Sequence, residues 1–274
     1  MKVLKGKEDT NPMEPIEFVI SMTTISTRQR HCIKTLKCLL EQTRLPDAIH
    51  LYVSEDPYLL DKGISKESLD SSLHELIQST PLLTVHWVPN EGPYRKLLPF
   101  LRSQKWSDHT LVLTCDDDTL YKQTLVEEAI SLWKSKKCCI GFRGTRIDSS
   151  FQYNSFPDAK GTESLWNLAK GNGCVLYQPT WFPLTPLFLE GWKDFPTTDD
   201  LWFTSWRIAA GIPCYISESG SFISSQLTRE NLWLNYNENK NGQVLFTILM
   251  KLSSASVLRV WPPPLTEKNE ANHP

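Results

Sequence analysis

Short β-branched and apolar runs alternate with amphipathic stretches through the first half of the chain. The segments "IEFVISMTT" (16–24), "AIHLYVS" (48–54), "LLTVHWV" (82–88), "TLVLTC" (110–115) and "CCIGF" (138–142) read as strands. Between them, apolar side chains recur at helical spacing: Ile33, Leu36, Leu39 and Leu40 within 28–42, then Leu69, Leu73, Leu76 and Ile77 within 66–78. A third such stretch runs from Leu125 to Trp133 through Ala129 and Ile130. Strand and helix in this rhythm predict right-handed crossovers and a mainly parallel α/β sheet flanked by helices. Open sheets of this kind bind ligands beyond the carboxyl ends of their strands. That rule directs attention to Asp116, Asp117 and Asp118, which follow "TLVLTC" directly.

After about residue 145 the rhythm breaks. A long polar loop, "RIDSSFQYNSFPDAKG", leads to a strand in "GCVLYQP" and then to the Pro- and Trp-rich "TWFPLTPLFLEGWKDFPTTDD". Helical spacing returns from Asp199 to Ala210, stops at Gly211-Ile212-Pro213, and gives way to a strand in "CYIS". The apolar "QVLFTILMKL" (243–252) is too short to span a bilayer and reads as a core helix, with an interfacial helix as the alternative. The expected organisation is a flexible start (1–15), one domain (16–260) whose halves meet near residue 145, and a flexible polar tail (261–274).

Charge and composition narrow the function classes. With 29 basic and 31 acidic residues and a net charge of −2, the chain has no electrostatic footprint for nucleic acid. The start has no apolar leader segment and no transmembrane stretch of ~20 apolar residues occurs, which leaves room only for peripheral membrane contact. Seven cysteines without regular spacing suggest buried thiols in a reducing, cytoplasmic setting rather than a disulfide framework or zinc site. Five of the ten tryptophans (166, 181, 192, 202, 206) fall between residues 160 and 210. Packing explains any one of them; a sugar-binding cleft is the sharper expectation for the group.

A turn or helix cap accounts for one of the three adjacent aspartates but not for three. Unpaired like charges this close are costly, and a hard divalent cation, Mn²⁺ or Mg²⁺, shared with phosphate oxygens would neutralise them. Alternation along an extended backbone places Asp116 and Asp118 on one side and Asp117 on the other. Asp199 and Asp200 open a helix, where one carboxylate serves the first turn and the second is free to face a cleft. Arg28 and Arg30 lie where "SMTTISTRQR" leaves the first strand, suited to a pyrimidine edge, a ribose or a diphosphate. Lys96 is expected in the first turns of a helix whose Pro99 kinks or ends it.

Together these segments resemble the family-2-like glycosyltransferases of the GT-A fold. The apolar strand ending in Asp-x-Asp is their signature. "VISMTTISTRQR" (19–30) resembles the first strand and nucleotide-binding loop, "NEGPYRKLLPFL" (90–101) a Gly-Pro-x-x-Lys-Leu segment, and "TTDDLWFTSWRIAAGIP" (197–213) the helix that carries the base. The set, in order over residues 16–217, is also similar to glycosyltransferases of large algal viruses and some bacteria. The resemblance implies a GT-A-like, Rossmann-type sheet with a nucleotide-sugar half (16–145) and an irregular acceptor half (146–260). It implies a metal on Asp118 and Asp116, and donor contacts from Thr23, Thr24, Arg28, Arg30, Glu55, Lys96, Asp116, Asp117, Asn172 and Gly173. Asp200 or Asp199 would be the general base, with Asp200 preferred. The implied reaction moves a sugar from a nucleotide-sugar donor, expected to be a UDP-sugar, to a hydroxyl of a glycan or glycoconjugate acceptor with inversion. The family's occasional C-terminal His metal ligand has no obvious counterpart, since His273 lies in the tail. Three rivals remain: a nucleotidyltransferase, for which "SMTTISTRQR" lacks the usual glycines; a glycoside hydrolase; and a non-catalytic sugar-binding module.

Overall fold

The computed structural model describes residues 15–225 and 232–260; the expected loose ends at 1–14 and 261–274, with His273, lie outside the described residues. In chain order the elements are β1 (Glu17–Thr23), α1 (Gln29–Leu40), β2 (Ala48–Val53), α2 (Ser71–Ser79), β3 (Leu83–Trp87), α3 (Leu98–Ser103), β4 (Thr110–Cys115), β5 (Thr119–Tyr121), α4 (Leu125–Lys136) and β6 (Cys139–Gly141). There follow β7 (Gly144–Arg146), β8 (Glu163–Ser164), β9 (Asn167–Ala169), β10 (Val175–Tyr177), α5 (Pro186–Glu190), α6 (Asp199–Ala209), β11 (Cys214–Ile216), β12 (Phe222–Ser225) and α7 (Asn241–Ser254).

One eight-stranded sheet runs in the order β3-β2-β1-β4-β10-β6-β11-β8. Its first four strands are parallel, β10 is antiparallel to both β4 and β6, β11 is parallel to β6, and β8 is antiparallel to β11. The sheet therefore draws strands from both sides of residue 145, and β10 joins β4 to β6. Pleat alternation sends β1 and β4 to two separate cores. Phe18, Ile20, Met22, Leu111 and Leu113 pack under α1, α2 and α4, while Val19 and Val112 face α3, α5, α6 and α7.

Several expectations shift. These five tryptophans are packing material: Trp166, Trp192, Trp202 and Trp206 are buried in the second core, Trp181 packs against it, and none of the five lines the main cavity. The segment 243–252 lies inside α7, whose Leu245, Ile248, Leu249 and Leu252 are buried, so it is a core helix. Pro99 opens α3 instead of kinking a helix, because a proline costs nothing where the N–H has no intrahelical acceptor. The polar loop after residue 145 begins in β7, which pairs with β9 as a short antiparallel ribbon. All seven cysteines are free and six are buried. Among the described residues no helix is long and apolar enough to cross a membrane.

Candidate active site

A cavity of about 550 Å³ opens at the carboxyl ends of β1 and β4. The strand that delivers the aspartates ends at Cys115, and Asp117 and Asp118 lie in a turn that leads into β5. The turn abolishes the expected alternation, and Asp117 and Asp118 share one cation. Arg28 Nη1 lies 3.1 Å from Asp117 Oδ1 and donates to Asp118 Oδ2 at 2.8 Å. Thr24 Oγ1 donates to Asp117 Oδ2 at 2.6 Å, the Thr35 hydroxyl reaches the carbonyls of Asp117 and Thr119, and the Asp116 N–H donates to Tyr121 Oη. Asp117 is buried, and that burial pushes its carboxyl up to about 6 against the pull of Arg28. Asp118 is raised by burial and by the charge of Asp116. Burial lowers Arg28, but the three aspartates outweigh it and raise the guanidinium.

Lys96 joins this turn to the start of α6. It ends a 3-10 turn (Gly92–Lys96) and is separated from α3 by Leu97, so it does not sit at a helix N-terminus as the sequence suggests. Its buried Nζ lies 3.2 Å from Asp116 Oδ1, 2.8 Å from Asp199 Oδ2 and 3.7 Å from Asp200 Oδ1. Burial alone would lower its pKa; the carboxylates of Asp116, Asp199 and Asp200 outweigh that and hold it well above the usual lysine value. Arg28 and Lys96 thus offset part of the repulsion within the aspartate cluster.

The two carboxylates at the start of α6 differ. The Asp199 side chain is 9% exposed and faces Lys96, whereas that of Asp200 is 32% exposed to the cavity, with Oδ2 accepting the Gly171 N–H at 2.8 Å. Burial pushes Asp199 up to about 7, against the pull of Lys96, and raises Asp200 as well.

No protein-family model matches the sequence, and no curated protein matches it. Among solved structures the chain is similar to S. aureus TarS 1–349 in complex with UDP, at 13% identity and a TM-score of 0.52, over 87% of this chain and 72% of that one. The fold is GT-A-like. TarS 1–349 in complex with UDP-GlcNAc aligns over 87% and 73% of the two chains at 13% identity with a TM-score of 0.46. The 4-diphosphocytidyl-2C-methyl-D-erythritol synthase of Anaerococcus prevotii aligns over 87% and 96% at 12% identity, also with a TM-score of 0.46.

Within this GT-A-like frame the cavity gathers Thr23, Thr24, Arg28, Lys96, Asp116, Asp117, Asp118, Asn172, Asp199 and Asp200, but three expected residues fall outside its lining. Arg30 is 90% exposed and 3.8 Å from Asp70. It stands two residues beyond Arg28, and two residues of helix turn a side chain by about 200°. Glu55 is exposed to solvent because the loop after β2 folds over and presents Tyr58, Leu59 and Asp61 instead. Gly173 packs behind Arg143. The Thr23 hydroxyl is spent on the Tyr52 carbonyl at 2.8 Å. Among the described residues no three His, Cys, Asp or Glu side chains are grouped to hold a metal ion.

Asp61 and Arg95, which no motif in the sequence marks, are both buried. Arg95 Nη2 donates to Asp61 Oδ2 at 2.9 Å and to the Thr24 carbonyl at 3.1 Å, while Asp61 Oδ1 accepts the N–H groups of Ser26 and Gly63. This pair clamps the loop leaving β1. The signal was thin: a second cation beside Lys96, and an Asp two residues before a Gly. Arg95→Met should lower stability by about 3 kcal/mol, read as a fall in the urea midpoint, because it leaves the Asp61 carboxylate buried without its cation. An unchanged midpoint would show that the other donors to Asp61 suffice.

Proposed function

We propose that the chain transfers a sugar from a nucleoside-diphosphate donor, a UDP-sugar, to an acceptor hydroxyl with inversion at the anomeric carbon. One observation carries this reading: a cavity-facing carboxylate, Asp200, is joined through Lys96 to the Asp116–Asp118 turn at the carboxyl end of a parallel strand. Tyr58, Leu59 and Pro93 give one end of the cavity an apolar wall for the base. Asp116 and Asp118, 28% and 16% exposed at their side chains, fit a hard divalent cation; Asp117, at 3%, holds the loop. Two carboxylates are too few to hold such an ion alone, so the donor diphosphate would complete its shell. Bound Mn²⁺ or Mg²⁺ would supply Lewis-acid stabilisation of the charge on the leaving diphosphate.

The protein's own residues do the rest. Asp200 takes the proton from the acceptor hydroxyl as that oxygen bonds to the anomeric carbon and the bond from that carbon to the diphosphate breaks. Its raised pKa makes it a stronger base than an ordinary carboxylate. Lys96 and Arg28 offer positive charge to the departing diphosphate, and Asp199 positions Lys96. Calorimetric titration with UDP is the test. Binding should require Mn²⁺ or Mg²⁺ and weaken at least tenfold in Asp118→Ala; no binding with metal, or the same affinity in the variant, would sink the reading.

A further inference from the structure

Among the described residues five cations line the cavity, and three have resident carboxylates. Arg28 is matched to Asp117 and Asp118, Arg95 to Asp61, and Lys96 to Asp116 and Asp199. Arg143 and Lys170 are left over. Among the described residues neither has a carboxylate at ion-pair distance.

Their placement is the second observation. β7 and β9 pair with Gly144 opposite Ala169, and the Lys170 N–H donates to the Arg143 carbonyl at 2.8 Å, which sets Arg143 directly across the ribbon from Lys170. Like charges facing one another across an antiparallel pair are destabilising. Burial and the charge of Arg143 lower the Lys170 pKa, while Asp200 and Asp158 act on it only from a distance. Lys170 Nζ sits 5.3 Å from the centre of the Tyr153 ring, which also lines the cavity.

The loop between the two cations and the carboxylate pair is fixed by close approach. A Cβ on Gly173 would fall 2.5 Å from Arg143 Cβ, and one on Gly171 would fall 2.4 Å from Asp200 Oδ1. Arg143 therefore packs against one glycine of this loop and Asp200 against the other. Arg143, Lys170 and the proposed base thus meet at one loop, 170–173, while the Asp116–Asp118 turn would hold the donor end.

We propose that Arg143 and Lys170 form an anion subsite for the acceptor, so that the hydroxyl activated by Asp200 belongs to a molecule bearing a phosphate or carboxylate group. This rests on the glycosyl-transfer reading above for the word acceptor; the anion subsite itself does not. A guanidinium and an ammonium converging on one group supply the charge-assisted donors that such an oxyanion needs.

The test is a titration of the full chain, bare and loaded with UDP and Mn²⁺, with four probes: glycerol 3-phosphate, glucuronate, and the neutral glycerol and glucose. An anionic probe should bind at least tenfold more tightly than its neutral counterpart, and whichever of the two anions binds better identifies the group. The double variant Arg143→Gln/Lys170→Gln should lose that preference while its UDP affinity stays within twofold of the parent. Equal binding of charged and neutral probes would overturn the proposal. So would a tenfold loss of UDP affinity in the double variant, which would assign both cations to the donor. Should UDP fail to bind while bare protein still prefers glycerol 3-phosphate through both cations, the donor reading falls and the anion subsite stands.

Discussion

Asp200→Asn should reduce kcat by about 10³-fold, the scale of a positioned general base, while leaving UDP affinity within twofold. The amide keeps the shape of the carboxylate but cannot take the acceptor proton. The wild-type pH profile carries the same information. A base works when ionised, so kcat/KM should climb as pH rises through its pKa. Burial raises both Asp199, to about 7, and Asp200, which puts the midpoint of that climb above the ordinary carboxylate range. The two carboxylates share Lys96, so the midpoint belongs to the pair. In Asp199→Asn a neighbouring negative charge is gone, and the acid limb should move to lower pH with turnover reduced but not abolished. Full turnover in Asp200→Asn would remove it from the chemistry; a limb that fails to move in Asp199→Asn would uncouple the pair.

Gly171→Ala is expected to separate activity from stability. The added Cβ would lie 2.4 Å from Asp200 Oδ1 and 2.6 Å from Lys96 Nζ. Both atoms end side chains, so the backbone can stay in place and the melting temperature should change little. The side chains cannot stay: each must retreat by roughly an ångström, and a displacement of that size at a reacting group costs about 10²-fold in rate. Parallel measurement of Tm and kcat/KM checks this. A parent-like rate would mean that Asp200 tolerates movement a base should not tolerate; a collapsed Tm would mean that the loop itself had shifted.

The parts of the fold legible in the sequence were those long enough to show a period. β1 to β4 and the helices α1 and α4 repeat their apolar positions over five residues or more, and their expected spans match the observed ones within a few residues. β5, β7, β8 and β9 have two or three residues each, too few for any alternation to register. The insertion of β10 between β4 and β6 depends on pairing that composition does not encode. The site divides in the same way. Asp116 to Asp118, Lys96, Asp199 and Asp200 stand out as local clusters of charge. Arg95 with Asp61, and Arg143 with Lys170, acquire meaning only from partners brought together by the fold. Even Arg30, a plausible neighbour of Arg28 in the sequence, was lost to the turn of a helix.

Lys96 touches carboxylates on both the β4 turn and α6. The cleft thus ties two chain segments together through one resident cation, which offsets part of the carboxylate charge on each. Any anionic ligand that engaged this ammonium would have to compete with its resident carboxylates, so its affinity would reflect a difference between two sets of contacts. On the proposed reading, a ligand that takes up Lys96 on binding would hand it back to Asp116 and Asp199 on leaving.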